Sequence, residues 1–493
     1  MVGMRRKLIR ASRFGVFILL SGGCAAEPVT ETGAVTEEVT AESGTTAWSY
    51  RVAGTQRQQV NAVASAPQSG AYIAGSSEAS VYYRDQKLPR SAISEAAPFV
   101  ARLDANGGLV WGHVDPGPAG SAVTAMGSNA AGDVAVGGSA TGPVDLAGCV
   151  EPADSGASST IWYASFDASG GCRSGRTFVN AGYEPSTGGV ALLPDGGVAI
   201  AGGVRGALDF DGVVLTGPGS VGVSAPFVAV IDADGAVRWA KAFQPTQLDG
   251  LGGWVSGLDV DASGRLYLAG TVHEAIDFDG TVIAPAGPDP RTAAFVAVLE
   301  PDDGAVVRAA AYGSKAIALD IAVQPDGTAA VSGSFTRSVS FPGGVSVSTP
   351  GGFTDGFVVK MNPDGVASWA RHLWGTSEII SPNGVSIDSN GFVGVAGSMN
   401  IGTLHISDYV FTSRSGDAFA ARFGSATGST VWATAFPGII IGTSGWGVSG
   451  AADVAATDNR RLVVGGSFGF TTDFGNRTLT SNGGDGFVLR LYP

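Results

Sequence analysis

Apolar and polar residues alternate with a period of two along most of the chain. Leu258 and Val260 alternate with polar neighbours, Asp261-Ala262-Ser263-Gly264 interrupts them, and Leu266 and Leu268 resume the alternation. That pattern predicts a strand, a tight turn and a strand. Phe227-Val228-Ala229-Val230-Ile231 likewise leads through Asp232-Ala233-Asp234-Gly235 into a second run over 237–243. Other turns read Leu193-Pro194-Asp195-Gly196, Gln324-Pro325-Asp326-Gly327 and Asn362-Pro363-Asp364-Gly365. Proline presets φ, aspartate bonds its own backbone, and glycine accepts the positive φ that closes a hairpin. No helical stripe follows residue 47.

The pattern recurs about every 64 residues. Each unit opens at residue 48, 111, 174, 239, 308, 369 or 432; five of these are Trp, and Ser174 and Arg308 stand in the other two. A glycine ends a β-type run in every unit, at Gly75, Gly138, Gly203, Gly270, Gly333, Gly397 and Gly466. An aromatic begins the last run, at Phe99, Trp162, Phe227, Phe295, Phe357, Phe419 and Phe487. Four strands per unit and seven units predict an all-β fold, a seven-bladed β-propeller of four-stranded antiparallel blades over residues 47–493. The chain enters on the second half of a hairpin and ends on its first half. Residues 47–53 should therefore supply the outermost strand of the last blade and leave no terminal edge.

Composition narrows the function classes. Charged residues are 15% of the chain, against about 25% in ordinary proteins. Apolar residues at 44% suffice for a large core, and the formal charge of −14 argues against nucleic acid as a partner. The first residues read as an export signal: Arg5, Arg6, Lys7, Arg10 and Arg13 precede the apolar run 14–20, too short to span a bilayer. Leu20-Ser21-Gly22-Gly23-Cys24 resembles the lipobox of bacterial lipoproteins, with Leu20 one place further from the cysteine than is usual there. The resemblance implies a signal peptide over 1–23 and a lipidated Cys24. No Asp follows Cys24, which in that family's sorting rule implies the outer membrane. Ordinary signal cleavage near Ala25 is the alternative. Residues 24–46 carry Glu27, Glu31, Glu37, Glu38 and Glu42 and many Thr, the composition of a flexible tether.

Trp-Ala-x-x-Phe, Gly-x-x-x-Asp-Ala-x-Gly, Leu-Asp-Phe-Asp-Gly and Phe-Val-Ala-x-Leu-Asp together resemble the seven-bladed propeller repeats of bacterial surface lipoproteins, over 47–493. The Asp-Phe element is clearest at Asp209-Phe210, Asp277-Phe278 and Asp473-Phe474, altered at Ser340-Phe341 and His405-Ile406, and faint near Tyr82. The resemblance implies fold and location and carries no motif for a reaction.

Candidate chemistry is sparse. Cys149 and Cys172 lie within one unit; in an exported protein they are expected to form a disulfide, the alternative being two buried thiols. Asp259-Val260-Asp261-Ala262-Ser263-Gly264 opens like a calcium loop, but Gly270 holds the place of the bidentate acid, so a structural turn is the better reading. Gly465-Gly466-Ser467-Phe468-Gly469 satisfies the serine-hydrolase elbow pattern without the helix that elbow requires. His113, His273, His372 and His405 are scattered singly, and nothing indicates a metal, a cofactor or a catalytic residue. Six tryptophans are absorbed by the repeat. Trp254, Trp374 and Trp446 remain, in segments joining one unit to the next, on the end that also carries the long middle loops. They are candidate ligand-binding platforms for a glycan, peptide or protein, or else fold back over their own blades. The expected protein is a monomeric envelope propeller, attached to the membrane only by an N-terminal lipid. It binds or scaffolds; a polysaccharide hydrolase or lyase at the central channel is the competing reading.

Overall fold

The computed structural model describes residues 42–88, 95–116, 120–150, 159–218, 223–247, 250–286, 291–349, 352–439, 448–457 and 460–493. The signal segment, Cys24, nearly all of the tether and Trp446 lie outside these residues. The chain divides into two units, 1–40 and 41–493, and everything below belongs to the second. Every element among the described residues is a β-strand, and every strand pair is antiparallel.

Blade 4 shows the plan: Gly253–Val260, Leu266–Val272, Ala293–Leu299 and Val306–Tyr312 pair in chain order, from the innermost strand outward. Six further four-stranded units follow the same order among the described residues. Blade 1 runs from Gln58–Ala66 to Leu109–Val114, blade 5 from Ser314–Val323 to Ala367–Gly375, and blade 6 from Ile380–Ile387 to Thr430–Phe436. Cys172–Leu192 is one long strand that serves as the outer strand of blade 2 and the inner strand of blade 3. In blade 7 the outer strand is Thr46–Ala53, paired with the end of the chain from Thr46↔Leu491 to Val52↔Gly486. The inner strand of blade 7 lies against that of blade 1, so the seven blades close on themselves. Pairing at the closure includes residues ahead of 47: Gly44 N–H donates to the Tyr492 carbonyl and Tyr492 N–H to that of Thr45.

The recurrent glycine and the recurrent aromatic are two halves of one contact. They face each other across adjacent strands, as in Gly75↔Phe99, Gly270↔Phe295 and Gly466↔Phe487. In blade 3 the glycine of this pair is Gly202, opposite Phe227, and not Gly203. Nor does the glycine end its strand; Gly270 sits inside Leu266–Val272. It is needed because the inner strand bulges there, between Val255 and Gly257 in blade 4 and between Ala451 and Asp453 in blade 7. A Cβ on any of the seven would lie 1.7–2.2 Å from a carbonyl oxygen of the inner strand or, at Gly138, of Ala122 just ahead of it. The aromatic ring covers the space the missing side chain leaves.

Two kinds of latch recur between successive blades. The Trp of an outer strand donates its indole N–H to a hairpin-turn carbonyl of the following blade: Trp48 to Ala105, Trp111 to Ala168, Trp239 to Pro301 and Trp369 to Ser425, at 2.8–3.1 Å. A cation from the third strand often shares that carbonyl, as Arg490 does at Ala105, Arg102 at Ala168 and Lys360 at Ser425. Where Trp is absent, Arg308 reaches Pro363 and Arg176 reaches Gly235. The second latch explains the Asp-Phe element. Its Phe packs on the aromatic that ends the previous outer strand, as in Phe178–Phe210 (4.5 Å), Phe243–Phe278 (4.3 Å) and Phe436–Phe474 (5.7 Å). In blade 1 this position is Tyr83, 2% exposed, while Tyr82 points outward. The Asp closes the hairpin by accepting a turn N–H, from Gly212 at Asp209 and from Gly280 at Asp277. Cys149 and Cys172 are joined as a disulfide, fixing the middle loop of blade 2 to its outer strand, the strand in which Ser174 replaces Trp.

Two substitutions on one strand separate close approach from glycine content. A Cβ at Gly466 meets the Gly450 carbonyl at 2.1 Å, whereas one at Gly469 meets nothing within 4 Å. Thermal melting should show Gly466→Ala destabilised by about 1–3 kcal/mol and Gly469→Ala within ~0.5 kcal/mol of the parent. Deleting residues 42–53 removes the outer strand of blade 7 and exposes an edge. Size-exclusion chromatography and melting should show an unfolded or self-associated chain; an unchanged monomer with an unchanged transition would refute the closure.

Candidate functional site

The inner strand of each blade has one edge with no partner strand, because it faces the central channel. Side chains from neighbouring blades occupy those edges. Asn61 Nδ2 donates to the Val123 carbonyl, Thr124 Oγ1 to Thr187 and Asn383 Nδ2 to Ala451. At three other junctions an aspartate accepts instead: Asp259 from Val323 N–H (2.6 Å), Asp320 from Val385 N–H (2.8 Å) and Asp453 from Val63 N–H (2.8 Å). Each of these carboxylates uses its other oxygen for the N–H of the next residue in its own strand. At the remaining junction, blade 3 to blade 4, the backbones approach so closely that a Cβ on Gly188 would lie 2.0 Å from the Val255 carbonyl oxygen.

Two adjoining cavities of about 200 and 210 Å³ lie along the channel and share Met126, Leu258, Asp320 and Asp453. No Lys, Arg or His lines either one. Burial pushes the carboxyls of Asp259 and Asp453 up to about 6; Asp320 rises well above the usual range through burial and the nearby Asp453 charge. Raised carboxyl pKa values in a cleft are a mark of acid–base sites. Here both oxygens of each group hold backbone N–H donors, which is the work of a structural seam. Among the described residues no three His, Cys, Asp or Glu converge as metal ligands.

The calcium-like segment is the turn it was expected to be: Asp261 Oδ1 accepts from Ser263 and Arg265 N–H, while Asp259 points to the channel seam. Ser467 lies within the paired strand Leu462–Asp473, so no nucleophile elbow forms.

The two ends of the propeller differ. Among the described residues, one end carries the tight turns within hairpins and the place where residues 42–46 meet the C-terminal strand. The other carries the connections between blades and the long middle segments, several of them folded as accessory hairpins such as Ile276–Phe278 with Thr281–Ile283. Trp254 and Trp374 are at this second end, though in strands and not in the connections between them. Trp254 belongs to Gly253–Val260, is half-buried, packs against His273 (5.1 Å) and passes close to Gly203 of the preceding blade. Trp374 ends Ala367–Gly375, is 44% exposed and stacks on His405 (4.1 Å, 10°). The two share no contact. Scattered singly along the chain, the histidines each stand beside a tryptophan in the fold: His113 by Trp111, His273 by Trp254, and His372 and His405 by Trp374.

No protein-family model matches the chain, and no curated protein does. Solved structures with a similar course of the backbone include a quinohemoprotein alcohol dehydrogenase from Comamonas testosteroni (12% identity, 90% of this chain, 76% of that one, TM-score 0.40). BamB from Moraxella catarrhalis aligns at 13% identity over 91% of this chain and 100% of its own, with a TM-score of 0.38. Sqt1 from Chaetomium thermophilum does so at 10% identity over 91% and 99%, with a TM-score of 0.39.

The channel carboxylates make stability depend on pH with a defined sign. A carboxyl whose native pKa is raised stabilises the fold below the usual carboxylate range, and that contribution is lost as pH rises through about 6. The melting temperature at pH 5 should exceed that at pH 7.5 by roughly 1–3 °C, at about 1 °C per kcal/mol in a fold of this size. Asp453→Asn should flatten that dependence; an unchanged slope would show that these groups do not govern it.

Proposed function

We propose that the chain is a cell-envelope lipoprotein whose propeller binds or scaffolds a glycan, peptide or protein at its loop-bearing end. The observation that carries this reading is the difference between the two ends. Among the described residues, one has short hairpin turns, while the other bears the accessory hairpins and the exposed Trp374. Long segments that do not serve closure of the ring are places where a scaffold carries binding residues. The engagement of Asp259, Asp320 and Asp453 by backbone N–H groups supports binding over hydrolysis at the channel. The Cys149–Cys172 disulfide supports an exported protein, and lipidation of Cys24 would hold it at the outer membrane as a monomer.

Fractionation of cells producing the full chain tests the address. Cys24→Ala should move the protein from the membrane to the soluble fraction. Retention of the purified protein on isolated envelope polymers tests the rest. Replacing Trp254, Trp374 and Trp446 together by Ala should abolish retention without changing the melting temperature. Release of new reducing ends from those polymers would favour the polysaccharide-degrading enzyme instead.

A further inference from the structure

We infer that a neutral-oligosaccharide site lies on the outer rim between blades 5 and 6, on the exposed face of a three-stranded sheet centred on Trp374 and His405. The inference rests on the binding reading above and gives it a place and a ligand class. The accessory hairpin of blade 6, Gly402–Ile406 with Tyr409–Ser413, does not stay with its own blade. It joins the outer strand of blade 5, so that Ala367–Gly375, Gly402–Ile406 and Tyr409–Ser413 form consecutive strands.

Register places Trp374, His405 and Val410 in one row across these strands. One face of the sheet is core: Leu373 and Leu404 are 0% exposed and Ile406 is 1% exposed. The row stands on the other face, with Trp374 44% and Val410 56% exposed. Side chains alternate between faces along a strand, so Thr376, Thr403 and Thr412 fall beside the row on the same side. Thr403 pairs with Thr412 across the hairpin, and the hydroxyls of Thr376 and Thr403 meet at 3.0 Å. At the inner border His372 bonds Asp355 at 2.8 Å and sits 6.5 Å from the Trp374 ring. The result is an exposed stack of the Trp374 indole on the His405 imidazole, flanked by Val410 and edged by threonine hydroxyls.

That chemistry fits a sugar ring. A pyranose offers an apolar C–H face to an aromatic ring and hydroxyls at its edge, and exposed aromatics with a few polar groups serve both. The row and its three threonines contain no Lys, Arg, Asp or Glu, and the chain's formal charge is −14, so an anionic polymer is disfavoured. The stack is also particular to this junction. The equivalent hairpin at the blade 7–blade 1 junction puts Ala53, Tyr82 and Lys87 in the same row, and Lys87 covers the Tyr82 ring at 5.5 Å.

Affinity gel electrophoresis of the exported protein in gels containing laminarin, dextran, mannan or amylose tests this, with polygalacturonate as the anionic comparison. At least one neutral polymer should retard the protein. Trp374→Ala and, separately, His405→Ala should weaken that retardation at least tenfold, while Tyr82→Ala, on the comparison hairpin, leaves it unchanged. Melting curves identify any variant that fails to fold, and Thr403→Val, which removes a hydroxyl without removing a ring, should weaken it severalfold. Retardation by a neutral polymer that survives Trp374→Ala and His405→Ala overturns the site while leaving a binding propeller intact. Retardation by polygalacturonate alone, or by none of the polymers, overturns the ligand class. A failure of the envelope-retention assay as well would remove the broader reading on which it rests.

Discussion

A ring of small sheets must satisfy the backbone of seven inner strands whose channel-facing edges have no strand to pair with. Unpaired buried N–H and C=O groups are costly, and an open edge invites mispairing. This protein meets the requirement with side chains that cross from one blade to the next, so the groups that quiet the edges also sew the blades together. Where the crossing residue is Asn or Thr it donates to a carbonyl; where it is Asp it accepts from an N–H. Burial raises the pKa of these aspartates even though the N–H groups they hold favour the charged form, so the seam carries a charge that the channel lining does not compensate. The bulge that aims these residues into the channel in turn dictates the glycine on the second strand and the aromatic on the third.

The outer half of each blade is held differently. Trp and Arg or Lys side chains converge on turn carbonyls of the next blade, and paired aromatics fill the space between the outer strand and the following hairpin. Both devices repeat, so the loss of one is covered locally: Arg308 and Arg176 stand in where Trp is missing, and blade 2 has its disulfide besides. One junction is the exception. The turn that Trp432 should reach is where the chain begins and ends; its ring packs on Gly44, and its indole nitrogen has no hydrogen-bond partner among the described residues.

Much of this fold could be read from residue order. The alternation, the Pro-Asp-Gly turns and the 64-residue beat were sufficient for strands, blades and the manner of closure, because each reflects a local rule repeated seven times. The reading slipped where two neighbouring residues both fit a motif and only register decides between them, as with Gly202 and Gly203 or Tyr82 and Tyr83. The channel aspartates escaped notice for another reason. Asp320 and Asp453 follow the bulge directly, whereas Asp259 comes two residues later in its strand, so the three do not align as a repeat. Trp374 was visible as a residue left over by the repeat. Its stacking on His405 was not, since the two belong to different units and meet only because a hairpin crosses to the neighbouring sheet.

The clasp that closes blade 7 also fixes how the molecule meets mechanical load. A pull on the chain ahead of residue 42 does not fall on a continuous polypeptide inside a blade. It enters at the pairs Thr46–Leu491 and Trp48–Arg490, which no covalent turn backs up. Drag or tension at that end is therefore resisted by cross-strand hydrogen bonds and by the side chains this strand buries, Trp48 with its bond to Ala105 first among them, without a covalent link across the closure.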